Sequence, residues 1–286
     1  MNRSWRWLLL LSGMLWGCAA AQAPGVGLRT EAVNLNDAGY HYYLQGRWSL
    51  AQGKFAQALA YNRLIDHRAG IAANLNNLGA IALGQGEWGE AETYLKEALR
   101  INRDQGDPAG ICETLNNLGA AYLAQGRLGE AQETFQEALG QAQSLPPGPL
   151  WALTLTHLGD AALSRQEYTQ AWDYYSQALE QDRSRKDRRG LAVRRERLGR
   201  TLLEQGNYLA ALPYLHEALW EFRQLEDTGG IVDALNSLTR LALAQGDKEG
   251  ARLYGERLLK LYQARGQDQE AEKLQALLRA RGLPYK

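Results

Sequence analysis

The chain has 286 residues, of which 32 are basic and 32 acidic, so its formal net charge at neutral pH is zero. This balance offers no general electrostatic attraction for nucleic acid, and we expect no nucleic-acid partner. With 45% apolar and 22% charged residues, the composition is typical of a helical, water-facing protein.

The N-terminal segment, residues 1–17, has the pattern of an export signal. Arg3 and Arg6 precede an apolar run over 7–16, shorter than the about 20 residues of a membrane-spanning helix. The run ends in Leu15-Trp16-Gly17-Cys18, which resembles the lipobox of bacterial lipoproteins. The resemblance implies cleavage before Cys18, lipidation of that cysteine and a lipid anchor in the bacterial cell envelope. Because no aspartate follows Cys18, it favours the outer membrane, with the chain facing the periplasm.

An ordinary signal cleavage near residues 19–21 is the alternative interpretation of this segment, and it would release a soluble periplasmic protein. In the lipoprotein interpretation, residues 18–31 form a short tether, because they include Pro24, Gly25 and Gly27.

Residues 32–271 repeat one pattern six times, with a period of 40 residues and no insertion or deletion. Small residues form the most regular columns, which are Ala51, Ala91, Ala131, Ala171, Ala211 and Ala251, and Gly39, Gly79, Gly119, Gly159 and Gly199. A fixed period in this range indicates stacked supersecondary units, because no unit can bury its apolar face alone. The predicted units are 32–71, 72–111, 112–151, 152–191, 192–231 and 232–271.

Each unit has the apolar spacing of two helices. In the second unit, Leu75 and Leu78 lie on one helical stripe, and Ala91 and Leu95 lie on another, beyond a turn at Gly86. A glycine inside the first helix costs about 1 kcal/mol relative to alanine, so we expect this column to permit close approach of the paired helices. We expect the residue after the turn to cap the second helix; examples are Glu87, Asn207 and Asp247.

The second unit resembles the signature of the tetratricopeptide repeats in the residues Leu75, Leu78, Gly79, Ala82, Gly86, Trp88, Ala91, Leu95 and Ala98. The period of 40 residues, against the usual 34, is similar to that of the longer repeats of kinesin light chains. The resemblance implies an all-α, right-handed α-solenoid of six helix hairpins. A final segment over 267–282, with Leu274 and Leu278 on one face, is predicted to be a C-terminal capping helix. Local departures from the pattern are Gln166, Arg195 and Thr239.

The sequence contains no recognisable catalytic or metal-binding motif. The four histidines, His41, His67, His157 and His216, lack metal-ligand spacing, and the glycines belong to the repeat and not to a phosphate-binding loop. Cys112 shares its column with Ala72 and Ala152, so we expect a small buried core residue. We predict a protein that is not an enzyme, without catalytic residues, cofactor, metal or small-molecule substrate.

In a solenoid of this family the first helices line a concave groove. The predicted groove residues are Asn76, Asn77, Asn116, Asn117, His157, Arg197, Arg200, Asn236 and Arg240. An asparagine amide both donates and accepts, so a series of such amides can bind the main chain of an extended peptide. The alternative is that some of these asparagines form hydrogen bonds within the helix stack.

Basic residues are concentrated between 183 and 200. Arg197 and Arg200 could bind a carboxylate or a phosphate, which would give the groove a cationic half. The alternative is a solvated loop with intrahelical pairs such as Glu196 with Arg200. A second candidate surface is an apolar convex patch, because large side chains occupy otherwise polar or small columns at Trp172, Leu212 and Trp220.

The sequence therefore predicts a non-catalytic protein interaction scaffold. In this interpretation a membrane-anchored lipoprotein binds a peptide segment of an envelope partner in its concave groove. Two alternatives remain at this point. One is a pilotin or outer-membrane assembly factor, and the other is a binder of an anionic glycan or of peptidoglycan, which rests on the arginines alone.

Overall fold

Helices account for almost all of the chain that the computed structural model describes, residues 24–283. Within this range there are thirteen helices and no strand. The helices are α1 (Pro24–Leu44), α2 (Trp48–Leu64), α3 (Arg68–Gln85), α4 (Trp88–Gln105), α5 (Pro108–Ala124), α6 (Leu128–Gln143), α7 (Pro149–Ser164), α8 (Tyr168–Ser184), α9 (Arg188–Glu204), α10 (Tyr208–Gln224), α11 (Thr228–Gln245), α12 (Lys248–Ala264) and α13 (Asp268–Ala280).

The predicted all-α fold of six hairpins and a capping helix is confirmed. The described residues divide into two compact units, of which the first ends at Gly70 and the second begins at Ile71. In the first unit α1 packs against α2, and in the second unit each helix from α4 to α13 packs against its neighbour in the chain. First helices of successive hairpins also touch, α5 with α7 and α9 with α11. This order of contacts is that of an α-solenoid, in which each repeat contacts its neighbours.

The predicted signal peptide and the lipidation site, Cys18, lie outside the described residues. The segment predicted to be a tether, 18–31, is helical from Pro24 onward. Proline is accepted at the first position of a helix because the amide hydrogen it lacks would have no intrahelical partner there. No helix in residues 24–283 is long and apolar enough to cross a lipid bilayer.

The glycine column does bring paired helices close together. A Cβ atom built on Gly119 in α5 would lie 2.5 Å from the Phe135 ring of α6, and one on Gly79 would lie 2.6 Å from Cγ of Leu95. Phe135 and Leu95 are fully buried. A side chain at Gly79 or Gly119 would therefore displace a core residue of the partner helix.

The turns between paired helices place one residue in the left-handed conformation. Gly126 has φ of +74°, and Gln166 adopts φ of +62° at the same position of the next hairpin. The predicted caps are correct in part. The Asp247 carboxylate accepts a hydrogen bond from the Gly250 amide at 2.9 Å, whereas Glu87 and Asn207 make no side-chain cap.

Candidate functional site

The first helices of the second unit present one continuous set of partly exposed side chains. On a helix, residues at i, i+4 and i+7 share a face, and three such columns remain accessible here. We call this surface the first-helix face, and it consists of Glu113, Asn117 and Ala120 on α5, Leu153, His157 and Asp160 on α7, Val193, Arg197 and Arg200 on α9, and Asp233 and Arg240 on α11. Ser237, at the remaining position of these columns, is buried.

A cavity of about 440 Å³ opens on the first-helix face. Its walls include Leu153 and His157 from α7, Val193 and Arg197 from α9, and Asp233 from α11. Three successive hairpins therefore contribute apolar, cationic and anionic side chains to a single recess.

The structure brings six of the predicted groove residues to the columns of this face. They are Asn77, Asn117, His157, Arg197, Arg200 and Arg240. Asn77 belongs to the same column through α3. Asn236 is exposed one position away from the column, beside the buried Ser237.

The prediction for Asn116 is wrong, because its side chain lies inside the helix stack. Asn116 is 1% exposed, and its amide donates a hydrogen bond to Oγ1 of Thr154 at 2.9 Å. One residue along a helix is a rotation of about 100°, which turns this position away from the face and toward α7. The alternative of hydrogen bonding within the stack is the correct one for this residue.

Asn76 and Asn117 form a direct amide pair between successive hairpins. Nδ2 of Asn117 donates to Oδ1 of Asn76 at 3.0 Å, and both side chains are half-buried. An amide group has two donor hydrogens and an acceptor oxygen. The pair therefore uses one donor and one acceptor, and Asn117 retains hydrogen-bonding capacity on the face.

His157 is packed as a neutral aromatic ring. It stacks on Phe135 with ring centroids 5.1 Å apart and an angle of 5° between the planes. Burial lowers the pKa of His157, and the positive charges of Arg197 and Arg194 act in the same direction against the opposing effect of Asp160. At neutral pH the ring is uncharged.

Asp160 is the centre of an ion-pair network between hairpins. Its Oδ1 accepts hydrogen bonds from the Tyr175 hydroxyl at 2.7 Å and from Nη2 of Arg200 at 2.9 Å, and Nε of Arg197 lies 3.1 Å away. Burial alone would raise the pKa of Asp160, but Arg197 and Arg200 outweigh it and hold the pKa below its usual range. The carboxylate is therefore ionised and binds both cations.

The network continues from α9 to α11. Nη1 of Arg197 donates to Glu196 at 2.7 Å, and the Ser237 hydroxyl donates to the other oxygen of Glu196 at 2.7 Å. Glu196 and Ser237 are buried, so the positions of these charged groups are set by the fold.

Every arginine of the 183–200 cluster has a carboxylate within ion-pair distance. The pairs are Arg183 with Glu180, Arg185 with Asp182 and Asp187, Arg188 with Glu221, Arg189 with Asp227, Arg194 with Asp182, Arg195 with Glu217, and Arg197 and Arg200 with Asp160. The predicted cationic half of the groove is therefore wrong, because neighbouring helices supply the neutralising charge. The predicted pair of Glu196 with Arg200 does not form, since Arg200 binds Asp160.

The predicted convex patch is largely internal. The Trp172 ring packs edge-on against Tyr214 with centroids 5.8 Å apart, and Leu212 packs against the same buried cluster. Only Trp220 of the three is strongly exposed, at 56%. Trp172 and Leu212 therefore contribute to the contact between hairpins.

The sequence reasoning missed one column of the face, which contains Glu113, Leu153, Val193 and Asp233. These residues lie four positions before Asn117, His157, Arg197 and Ser237, so the helical spacing itself could have identified them. Their diverse side chains gave no repeated chemical pattern, and the column was not recognised.

Cys112 is fully buried, as predicted, and burial raises the pKa of its thiol. Across residues 24–283 there is no group of three or more histidine, cysteine or acidic side chains that could hold a metal ion.

Sequence profiles of the tetratricopeptide repeat match residues 30–104, 110–184 and 196–268, which together exceed half of the chain. A comparison with curated proteins found no match.

Several solved structures share this fold at low sequence identity. A Rap protein complexed with competence and sporulation factor is 14% identical, with a TM-score of 0.67 over 88% of this chain and 75% of that chain. PilF of Pseudomonas aeruginosa is 21% identical, with a TM-score of 0.56 over 87% of this chain and 99% of that chain. Repeats from a putative kinesin light chain of Podosopora anserina are 16% identical, with a TM-score of 0.55 over 70% of this chain and 98% of that chain.

Proposed function

Because the chain belongs to the tetratricopeptide repeat family, whose fold supports protein interaction scaffolds, we propose that it binds an extended segment of a partner protein on the first-helix face. The observation that carries the proposal is the cavity of about 440 Å³ shared by α7, α9 and α11. The cavity combines the exposed aliphatic side chain of Leu153 with charged groups held in place by ion pairs. The Rap protein bound to competence and sporulation factor supports a protein or peptide partner for such a fold.

The face is well suited to bind a segment without reorganising. The ion pairs of Asp160 and Glu196 hold Arg197 and Arg200 in single positions, so little side-chain freedom is lost on binding. The free hydrogen-bonding capacity of Asn117 can pair with a main-chain amide of the segment irrespective of its sequence.

The proposed activity is binding without catalysis. On the face, Asp160 and Arg197 bind each other, and the ring of His157 is stacked on Phe135. These contacts give each group a structural role.

We place this scaffold in the bacterial cell envelope, anchored through Cys18 to the outer membrane and facing the periplasm. The support is the sequence alone, namely the export signal over 1–17 and Leu15-Trp16-Gly17-Cys18. The anchor would hold the first-helix face near a membrane surface and so raise its effective concentration toward envelope partners. A role as a pilotin or outer-membrane assembly factor is the second candidate. The similarity of this chain to PilF is a similarity of fold.

In-cell photo-crosslinking tests the proposal. A photoreactive residue in place of Asn117 should crosslink a partner protein that mass spectrometry identifies. The same residue in place of Asp173, which is exposed on the second helix α8, is the matched control. Equal crosslinking from both positions, or none from position 117, would reject the first-helix face as the binding site.

A further inference from the structure

We infer that the bound segment carries a lysine or arginine side chain that pairs with Asp233, next to an aliphatic side chain that contacts Leu153 and Val193. This inference rests on the proposed function and specifies the chemistry of the partner. It reverses the expectation from the sequence, in which the arginines of the groove would select an acidic partner.

The first observation is the charge of the cavity walls taken together with their ion-pair partners. The walls alone are balanced, with four carboxylates and four guanidinium groups. Their ion-pair partners Glu196, Asp227 and Arg200 add two negative charges and one positive charge. Asp182, Asp187 and Asp227 pair with Arg185, Arg189 and Arg194, which leaves the group around Asp233. There, the three carboxylates of Asp160, Glu196 and Asp233 face the two guanidinium groups of Arg197 and Arg200. Three negative and two positive charges leave an excess of one negative charge, and His157 is neutral.

The second observation is that, among the three carboxylates of this group, Asp233 is the one without a partner. It makes no hydrogen bond or ion pair with any residue in the described range, whereas Asp160 and Glu196 each make several. Asp233 is exposed and lies on the wall of the cavity. Partial loss of solvation, with the negative charge of Glu196, raises its pKa against the opposing effect of Arg197 and Arg200. A basic side chain placed at Asp233 would supply the missing charge.

The third observation is that the cavity wall beside Asp233 is apolar. Leu153 is 39% exposed, and Val193 is half-buried at the same column of the next hairpin. Leu153, Val193 and Asp233 occupy successive positions of one column and line one cavity. A ligand with an aliphatic side chain beside a basic one would bury the apolar surface of Leu153 and Val193 and, at the same time, form an ion pair with Asp233.

An acidic segment would meet the opposite situation. Arg197 and Arg200 already bind Asp160 at 3.1 Å and 2.9 Å, so a ligand carboxylate would have to displace an internal partner. It would also approach Asp233 and Glu196, and repulsion between like charges disfavours that arrangement.

Peptide selection tests this chemistry directly. A phage-displayed library of random linear dodecapeptides is selected on the purified full chain, on Asp233→Asn and on the control Asp173→Asn. The control removes the same charge from an exposed position on α8. Peptides selected on the wild-type chain should be enriched in lysine and arginine relative to the input library. The Asp233→Asn chain should lose this enrichment, and the Asp173→Asn chain should keep it.

The affinity of one selected peptide, measured by calorimetry, gives the contribution of the Asp233 carboxylate to binding. We expect about a fivefold weaker Kd with Asp233→Asn, an ordinary value for a partly solvated ion pair, and a Kd within about twofold with Asp233→Glu or Asp173→Asn. Circular dichroism at 222 nm checks that each variant is folded.

The outcomes separate the two proposals. Failure to select any peptide would overturn the proposed function, and this inference with it. Selection of neutral or acidic peptides, or of basic peptides that bind Asp233→Asn equally well, would overturn the inference alone.

Discussion

Asp160 shows how much of this face depends on single residues. The Asp160→Asn substitution removes the carboxylate that binds Arg197 and Arg200, and leaves two partly buried guanidinium groups without that partner. We expect the free energy of unfolding at pH 7 to fall by about 1–3 kcal/mol. Urea unfolding, monitored by circular dichroism, measures this free energy. An unchanged unfolding midpoint would contradict the structural role of the network.

The same substitution predicts a pH dependence. The pKa of Asp160 is lower in the folded chain than its ordinary value of about 3.9. Its ion pairs therefore stabilise the fold fully above the ordinary pKa, and this contribution is lost as the pH falls through the folded pKa. The difference between wild type and Asp160→Asn should shrink below about pH 4. A difference that is undiminished at pH 2 would exclude ionised Asp160 as its source.

Gly119 gives a residue-scale test of the close helix approach. In Gly119→Ala the new Cβ would meet the Phe135 ring at 2.5 Å, so we expect a loss of about 1–3 kcal/mol in stability. Gly140 in α6 has open space around it, and Gly140→Ala should raise stability by about 0.5–1 kcal/mol through helix propensity. Thermal unfolding of the two variants checks the opposite signs. Stabilisation by both would show that the glycine column is not needed for packing.

The residues that could be predicted from the sequence are those whose role repeats. The glycine column and the buried Cys112 follow from equivalent positions in other repeats. Asp160 and Arg200 also share a column, but their pairing needs the fact that first helices of successive hairpins face each other. The burial of Asn116 could not be predicted, because it depends on Thr154 in the next hairpin.

At the scale of elements, the turn between α7 and α8 is the one turn between paired helices of the described residues that has no glycine at its left-handed position. Gln166 adopts φ of +62°, a conformation that costs an L-residue about 1–2 kcal/mol. Gln166→Gly should therefore raise the thermal midpoint. Gly126→Ala, at the equivalent turn between α5 and α6, should lower it. A decrease with Gln166→Gly would indicate that the glutamine side chain stabilises the turn.

The elements themselves were largely predictable from spacing. The period of 40 residues and the apolar stripes predict helix pairs, and the turns lie where Gly86 and its equivalents stand. Helix caps were less predictable. The carboxylate of Asp247 accepts a hydrogen bond from a nearby amide, whereas the Glu87 and Asn207 side chains make no cap hydrogen bond.

For the molecule as a whole, the proposed lipid anchor makes a clear prediction. In a Gram-negative host fed an alkyne analogue of palmitate, the wild-type chain should be labelled and should sediment with membranes. Cys18→Ser should lose both properties. Cys112→Ser removes the other cysteine, which is buried in the core, and should retain them. Labelling of Cys18→Ser would exclude this cysteine as the anchor.

The charge of the whole chain was predictable, but its distribution on the first-helix face was not. A count along the sequence shows nine basic residues against two acidic ones in the 183–200 region. The structure adds carboxylates from other helices, such as Glu221 and Asp227. Long-range pairing therefore decides which charges remain for a ligand, and no local window of sequence contains that information.

The last helix, α13, also decides how the molecule behaves among its own copies. Leu274 and Leu278 of α13 are buried, and a Cβ on Gly255 of α12 would lie 2.9 Å from the Leu278 side chain. Each hairpin of a solenoid otherwise ends in a surface shaped to receive another hairpin. Without α13, the apolar surface of α12 would be exposed at the end of the solenoid. Chains could then associate head to tail into fibres. We therefore expect that removal of α13 would promote self-association of the chain.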